Sequence, residues 1–274
     1  MINNKSELAQ NLWNTGSMGC PILDFHGHMH EYSAIYFPAS SPEGMLKTMD
    51  RANVRMLMYC SHLALYDPTD DKKYHVDVVK KYPDRFRAYH SVLSRYTDPE
   101  KAIREVEEYP DVYLGFKFLC DYYAVPLSSP VHDPFFKYLN DTKKICLIHT
   151  WGGSPYNGVD EIRKVVEKYP DVTYICGHSF FGDENHAFDV FKDAKNVYFE
   201  LTAVPLMRGF VERIVQHIGS ERMLFGTDLP WFSTFHGIGT VLSADITDED
   251  RKNIFYKTGD KLLSRYSWYT PIDK

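Results

Sequence analysis

The chain has 274 residues, 44% of them hydrophobic and 25% charged, and its formal net charge is −6. This length is ordinary for one closed barrel of alternating strands and helices, and the composition is that of a folded protein with a large core. The negative charge, without any run of basic residues, argues against nucleic acid or an anionic membrane surface as a partner. A small molecule is therefore the expected partner.

The sequence predicts a cytoplasmic protein that makes no contact with a membrane. No segment approaches the roughly 18 consecutive apolar residues of a membrane span, and the first residues hold no apolar stretch behind a basic end. The cysteines do not form Cys-x-x-Cys pairs and are expected to be reduced thiols in the core. They are Cys20, Cys60, Cys120, Cys146 and Cys176. A homodimer is compatible with this composition.

Eight short runs rich in β-branched and aromatic residues recur along the chain and are predicted to be strands. Successive runs begin about 29 residues apart on average, close to the roughly 30 residues of one strand–helix unit. This spacing favours repeated strand–helix units over a sandwich. The first residues of the runs are Ile22, Val54, Phe86, Tyr113, Ile145, Val172, Val197 and Met223.

Proline marks the helix boundaries between these runs. Each of three Tyr-Pro-Asp triplets, at 82–84, 109–111 and 169–171, ends a charged helical run directly before a strand, because proline cannot continue the helix. Helix starts are predicted where a capping side chain is followed by proline in the first turn. These starts are Ser41-Pro42, Asp98-Pro99 and Asp133-Pro134.

The alternation of strands and helices requires parallel strands with right-handed crossovers, which leaves an open doubly wound sheet or a closed barrel. Eight units favour closure, and no Gly-x-Gly-x-x-Gly motif follows the first strand to indicate a nucleotide-binding open sheet. We therefore predict a (β/α)8 TIM-type barrel. The chain is predicted to form one barrel domain over residues 1–274, with an N-terminal extension at 1–20 and a C-terminal tail from about 265.

Side chains that can bind a metal gather at the predicted strand ends. His26 and His28 end the first strand, and the two-residue period of a strand directs both imidazoles to the same side. His149 ends the fifth strand, His178 the sixth and Asp228 the eighth. Because the C-terminal ends of barrel strands surround one mouth, these five side chains are expected to form an active site there.

Four sequence segments around these residues resemble the amidohydrolase superfamily, and more narrowly its amidohydrolase-related (amidohydrolase 2) branch of metal-dependent hydrolases and decarboxylases. The resemblance covers about residues 20–265 and rests on the combined set of motifs and their order. The motifs are Asp-Phe-His-Gly-His at 24–28, Leu-Ile-His-Thr at 147–150, Cys-Gly-His-Ser at 176–179 and Phe-Gly-Thr-Asp-Leu-Pro at 225–230.

The resemblance implies a distorted barrel with one divalent metal ion, most often zinc, at the C-terminal face. By position, the implied metal ligands are His26, His28, His149 and Asp228. His178 would contact the metal-bound water or the substrate. A second metal bridged by a modified Lys117 is a less favoured alternative.

Three further residues are predicted to bind substrate at the same rim. Lys117, in the fourth strand, could meet an anionic substrate or pair with a carboxylate. Trp151 and Trp231 follow His149 and Asp228 closely, and aromatic walls with a few polar groups are typical of ligand pockets.

The expected activity is hydrolysis of a small carbocyclic, aromatic or lactone- or amide-type substrate by a metal-activated water molecule. Asp228 would carry the proton, and His178 would stabilise the oxyanion or orient the water. One alternative is non-oxidative decarboxylation of an aromatic or unsaturated acid, which a cation from Lys117, Arg95 or Arg208 in the pocket would favour. Another is a catalytically inactive barrel that only binds a ligand.

Overall fold

The computed structural model describes residues 5–203 and 207–272, and in this part of the chain eight parallel strands form one sheet in sequence order. The predicted barrel class is confirmed. Residues 1–4 of the predicted extension and 273–274 of the predicted tail lie outside the described residues. The strands are β1 (Ile22–Met29), β2 (Val54–Ser61), β3 (Phe86–Val92), β4 (Tyr113–Phe118), β5 (Ile145–His149), β6 (Thr173–Gly177), β7 (Val197–Glu200) and β8 (Met223–Leu224).

Helices connect successive strands, and a helix precedes the first strand. Those before β5 are α1 (Glu7–Thr15), α2 (Pro42–Ala52), α3 (Lys72–Lys81), α4 (Pro99–Glu108) and α5 (Asp133–Thr142). Those after it are α6 (Val159–Lys168), α7 (Glu184–Phe191), α8 (Phe210–Ile218), α9 (Thr234–Ser243), α10 (Asp248–Lys252) and α11 (Thr258–Leu263). None of the helices in the described ranges is long and apolar enough to cross a membrane.

The helix boundaries follow local sequence signals. The Ser41 side chain accepts a hydrogen bond from Gly44 N–H, and that of Asp98 accepts from Glu100 N–H, so both predicted caps are confirmed. The third predicted start is displaced by one residue, because α5 includes Asp133 and its cap position is His132. Helices α3, α4 and α6 all end one residue before a Tyr-Pro-Asp triplet, as predicted.

The predicted eighth strand is shorter than the sequence indicates. Only two residues are strand, because the chain from Phe225 to Asp228 turns toward β1 and Asp228 has a left-handed φ of 55°. Backbone bonds then close the barrel: Phe25 N–H donates to Phe225 O, and Asp228 N–H donates to His26 O. The β1–β8 contact is therefore an irregular seam, which we call the closing seam, and it lies at the C-terminal mouth.

The core is built from the strands and the inner faces of the helices. In α6, Val159, Ile162 and Val165 are buried at a spacing of three residues, which places them on one helix face. Each fully buried side chain of this size contributes about 1.5–3 kcal/mol to folding. All five cysteines are buried free thiols, as predicted.

Candidate metal centre

Two elements bring the candidate ligands together at the mouth of the barrel. His26 and His28 occupy the end of β1 and are 0% and 3% exposed. Asp228 follows β8, and its backbone N–H donates to His26 O at 2.8 Å across the closing seam. The seam therefore fixes the aspartate beside both histidines.

The three side chains point their ligand atoms at one another. His26 Nε2 and His28 Nε2 each lie 3.1 Å from Asp228 Oδ1. The three ligand atoms all lie within 4.8 Å of one another. His26 Nδ1 faces away from this cluster and donates to Glu200 Oε2 at 2.8 Å. A second nitrogen held by a carboxylate is the usual arrangement around a metal-binding histidine, so the donor set fits a divalent ion.

The other two predicted histidines stand beside this cluster. His178 Nε2 is 4.0 Å from Asp228 Oδ2, and its buried Nδ1 has no hydrogen-bond partner among the described residues. The ring of His149 lies 4.4 Å from that of His178. His149 is therefore in the same site, but it is not one of the three side chains whose ligand atoms lie within 4.8 Å.

Lys117 reaches the cluster from β4. It is fully buried, and its Nζ lies 2.9 Å from His26 Nε2. Burial lowers the pKa of Lys117, since the charged form is poorly solvated there. By contrast, Arg95 and Arg208 are exposed at the surface. Of the three cations predicted as possible partners of a substrate carboxylate, only Lys117 lines the cavity.

The carboxylates at the site have opposite pKa shifts. Burial alone would raise the pKa of Asp228, but His26, His178 and His28 outweigh it and hold that pKa well below its usual range. Burial raises the pKa of Glu200 to about 7, although His178 and Thr202 oppose it. Burial also lowers the pKa of His178 to about 4, so this imidazole is neutral at physiological pH. Burial would lower the pKa of His28, but Cys60 and Asp228 outweigh it and raise that pKa to about 9, so Asp228 is an anionic centre with the His28 imidazole as its ion-pair partner.

A cavity of about 260 Å³ opens onto the cluster. Trp151 and Trp231 both line it, with the Trp151 ring parallel to that of His149 at 6.1 Å. Of the aromatic pair that follows His178, Phe180 is buried in the core and Phe181 packs against Trp151. The remaining lining residues are His28, His62, Lys117, Leu119, Asp121, Tyr122, His149, His178, Ala203, Asp228 and Phe232.

Sequence reasoning missed several residues of the site. Glu200 ends β7, which is the same strand-end signal that identified His149, and it could have been found in that way. Its carboxylate also accepts hydrogen bonds from Thr202 N–H and Thr202 Oγ1. His62 lies one residue beyond β2, and Tyr122 lies in a short turn after β4, where no periodic pattern marks them.

An eight-stranded barrel with histidines and an aspartate at its C-terminal mouth is the architecture of metal-dependent barrel enzymes. The chain belongs to the amidohydrolase family, since the sequence model of that family, described as amidohydrolase, matches residues 64–265. The predicted resemblance is therefore confirmed. His149, His178 and Asp228 fall within the matched span, whereas His26 and His28 precede it. No curated protein matches the sequence.

Several solved structures share the fold. An uncharacterised TIM-barrel protein from Bordetella bronchiseptica is 18% identical with a TM-score of 0.74, over 90% of this chain and 99% of that chain. A 2,6-dihydroxybenzoate decarboxylase complexed with 2,6-dihydroxybenzoate is 15% identical with a TM-score of 0.71, over 89% and 99%. A dihydroxybenzoic acid decarboxylase from Polaromonas sp. JS666, with bound manganese and the inhibitor 2-nitroresorcinol, is 18% identical with a TM-score of 0.65, over 80% and 85%. At these identities the similarity shows the fold alone.

Proposed function

We propose that this protein is a metal-dependent decarboxylase of small aromatic carboxylic acids. The observation that carries the proposal is one buried cation, Lys117, beside the His26, His28 and Asp228 cluster in a cavity with aromatic walls. Decarboxylation needs a cation near the carboxylate and a proton carrier near the ring carbon, and this cavity offers both. The fold similarity to two aromatic acid decarboxylases agrees with this choice.

We propose one divalent ion held by His26 Nε2, His28 Nε2 and Asp228 Oδ1, with His149 as the fourth ligand. Two or three imidazoles and a carboxylate suit zinc, and manganese also accepts carboxylate and imidazole donors. When bound, the ion supplies positive charge that polarises an oxygen of the substrate. The fold relative from Polaromonas sp. JS666 is described with manganese, so both metals belong in the first experiment.

Lys117 is proposed to meet the carboxylate of the substrate. Lys117 lines the cavity and its Nζ is 2.9 Å from His26 Nε2, so an anion bound there gains a nearby donor. Trp151 and Trp231 would hold the aromatic ring from the sides, as their positions in the cavity wall allow. A cavity of about 260 Å³ is at the small end for ligand pockets, which favours a single-ring substrate.

Asp228 is proposed to carry the proton. When the bond between the ring carbon and the carboxylate breaks, CO₂ leaves and its electron pair stays on the carbon, which then needs a proton. Because Asp228 is ionised, it must first accept a proton, for example from a hydroxyl substituent of the substrate, before it can deliver one. The product then leaves as a phenolate and takes its proton from water.

The test is release of CO₂ from 2,6-dihydroxybenzoate by purified protein loaded with manganese or zinc. Asp228→Asn should lower kcat by about 100-fold or more while the fold is kept, since the amide cannot accept and return a proton at neutral pH. Asp189→Asn, an exposed change in α7, is the matched control and should leave kcat unchanged. Absence of CO₂ release across a panel of hydroxybenzoates and related unsaturated acids would contradict the proposal.

Hydrolysis is the second candidate. It is favoured by the family match, whose span includes His149, His178 and Asp228. In this case Asp228 would accept the proton of the attacking water, and the free Nδ1 of His178 would orient it or stabilise the oxyanion. Turnover of esters, lactones or amides that is abolished by a chelator, without turnover of any aromatic acid, would favour this candidate.

A further inference from the structure

We propose that Tyr122 donates its phenolic hydrogen to a ring oxygen of the substrate, and that His62 fixes the direction of this donor. The inference rests on the proposed function for the kind of ligand, and it identifies the part of the ligand that Tyr122 recognises. It concerns two residues outside the metal cluster, which are joined to the cluster through His28.

The contacts form a continuous chain. His62 follows β2 and is 2% exposed. Its Nδ1 lies 3.4 Å from His28 Nδ1, and its Nε2 lies 3.0 Å from the Tyr122 hydroxyl. The ring of Trp231 packs edge-on against the His62 ring at 5.1 Å, and that of Tyr32 lies 4.6 Å away. This packing holds the His62 ring in the orientation that joins the two partners.

The direction of each hydrogen bond follows from the tautomers. His28 Nε2 faces Asp228 in the cluster, so with an ion bound at Nε2 the ring hydrogen of His28 is on Nδ1. The His28 Nδ1–H faces both Cys60 Sγ at 3.3 Å and His62 Nδ1 at 3.4 Å. Because two N–H groups cannot face each other at this distance, we infer that His62 Nδ1 is the unprotonated nitrogen. A neutral imidazole carries one hydrogen, which is then on Nε2 of His62. That N–H donates to the Tyr122 oxygen.

Tyr122 is left with a free donor. Its oxygen accepts from His62, so its own hydrogen is available to another acceptor, and a hydroxyl that accepts one hydrogen bond becomes a stronger donor. Burial raises the pKa of Tyr122 to about 12, and the hydroxyl therefore keeps its hydrogen at physiological pH. Among the described residues, Tyr122 is the only hydroxyl-bearing residue in the cavity lining.

The substrate atom that Tyr122 meets follows from what the neighbouring lining residues bind. Lys117 and the metal cluster are proposed to take the carboxylate. Tyr122 lines the same cavity, is linked to the cluster through His62 and His28, and is 40% exposed. A ring hydroxyl or phenolate oxygen of the same molecule is then the matching acceptor, so the preferred substrates are hydroxylated aromatic acids.

The first test is calorimetric binding of 2,6-dihydroxybenzoate and benzoate to the zinc-loaded protein. Tyr122→Phe should weaken binding of the dihydroxy acid by about tenfold and leave benzoate binding unchanged, because only the dihydroxy acid has a ring oxygen. Tyr66→Phe, at a neighbouring rim tyrosine whose ring lies 6.0 Å from that of Tyr122, is the matched control. Equal weakening for both acids, no weakening, or no binding of either acid would overturn the inference.

The second test reads the tautomer directly. Long-range ¹H–¹⁵N spectra of zinc-loaded protein should place the His62 hydrogen on Nε2, with His62→Phe used to assign the signal. A hydrogen on Nδ1 would overturn the proposed direction. The tests also separate this inference from the proposed function: a protein that binds as expected but releases no CO₂ refutes decarboxylation alone, whereas CO₂ release with normal Tyr122→Phe binding refutes the role of Tyr122 alone.

Discussion

The two ends of the barrel differ in how much local strain they hold. At the C-terminal mouth, several residues other than glycine have a positive φ, whereas at the opposite end among the described residues only Asn53 and Lys143 do, each at the end of a helix. Positive φ costs about 1–2 kcal/mol for a residue with a side chain. The strained residues of the mouth are His30, Ala39, Ala124, His178, Ser179, Phe180, Ala203 and Asp228.

The two ends also differ in the buried polar groups that they hold. The mouth holds Lys117, Glu200 and Asp228 beside the histidines, and the buried His178 Nδ1 there has no hydrogen-bond partner among the described residues. At the opposite end, the buried Arg222 donates to four backbone carbonyls. This comparison indicates that the end opposite the mouth contributes more to folding stability, whereas the mouth contains strained residues that serve its chemistry.

The largest expected effect comes from removing both β1 histidines. His26→Ala combined with His28→Ala should reduce metal content from about one ion per chain to near zero, and with it activity, because two of the proposed ligands are lost. The barrel should stay folded, since a site at the mouth adds less to folding than the packed interior. Metal analysis and circular dichroism measure both. The control replaces the exposed His186 and His236 with alanine. A His26→Ala and His28→Ala double variant that unfolds but still binds metal would show that the two histidines serve folding and not the metal site.

The next effect lies at the opposite end. Arg222 directly precedes β8, and its guanidinium donates to Ile218 O, Phe191 O, Lys192 O and Ala194 O. Arg222→Met should destabilise the protein by about 2–4 kcal/mol, because buried carbonyls lose their donors.

Thermal unfolding should show this as a drop in Tm of roughly 5–10 °C. Metal content should stay unchanged. The exposed Arg104→Met is the matched control, with a change within about 0.5 kcal/mol. Loss of metal from Arg222→Met without loss of stability would show that the two ends do not divide their roles.

A smaller effect is expected from a substitution that tests whether Glu200 supports His26 as a metal ligand. A Cβ at Gly226 would lie 1.8 Å from Glu200 Oε1, and the residue has no unusual φ, so Gly226→Ala must displace the carboxylate that holds His26. Metal affinity should fall by about 10–100-fold. Gly239→Ala, where a Cβ meets nothing within 4 Å, should keep the affinity. Competition with a fluorescent chelator measures both, and equal affinities would mean that Glu200 does not support His26.

The smallest effect is at Asp248, whose carboxylate accepts from Ser6 Oγ and from Glu7 N–H at the start of α1. Burial would raise the pKa of Asp248, but the bonds from Ser6 and from the N–H groups of Leu8 and Glu7 outweigh it and lower that pKa. A depressed folded pKa means stability that is present above the unfolded value of about 3.9 and is lost as pH falls through the folded pKa.

Asp248→Asn should therefore cost about 1 kcal/mol at neutral pH, the usual size for a helix-capping interaction. The difference from the unmodified protein should shrink as the pH falls below about 4. Urea unfolding at several pH values measures it, with the exposed Asp245→Asn as control. A difference that grows in acid would mean that the charge of Asp248 does not act through these bonds.

The sequence predicts the barrel and the placement of its cluster because both depend on local signals. Strands recur at even spacing, and His26, His28 and Asp228 stand at strand ends, where position alone assigns them to the mouth. Contacts across the mouth depend on side-chain directions that no local pattern contains. For this reason the Glu200 contact to His26 and the link from His62 to Tyr122 emerge only from the structure.

The end of the last strand was harder to predict. The run from Met223 to Asp228 has the apolar character of a strand, but only Met223–Leu224 pairs with β7. The rest of the run bonds to β1 and to Ile254 O, and these partners are far away in sequence. Closure of the barrel therefore overrides the local preference for a longer strand.

The closing seam has a consequence for how the protein is made. His28 Nε2 and Asp228 Oδ1 meet although they are 200 positions apart in the chain, and backbone bonds on either side join the first strand to the segment after the eighth. A ribosome releases β1 early, but the cluster cannot exist until the chain beyond Asp228 has emerged. A nascent chain therefore carries its two histidines without their aspartate for most of its synthesis, and full metal affinity arises only when the two ends of the barrel meet.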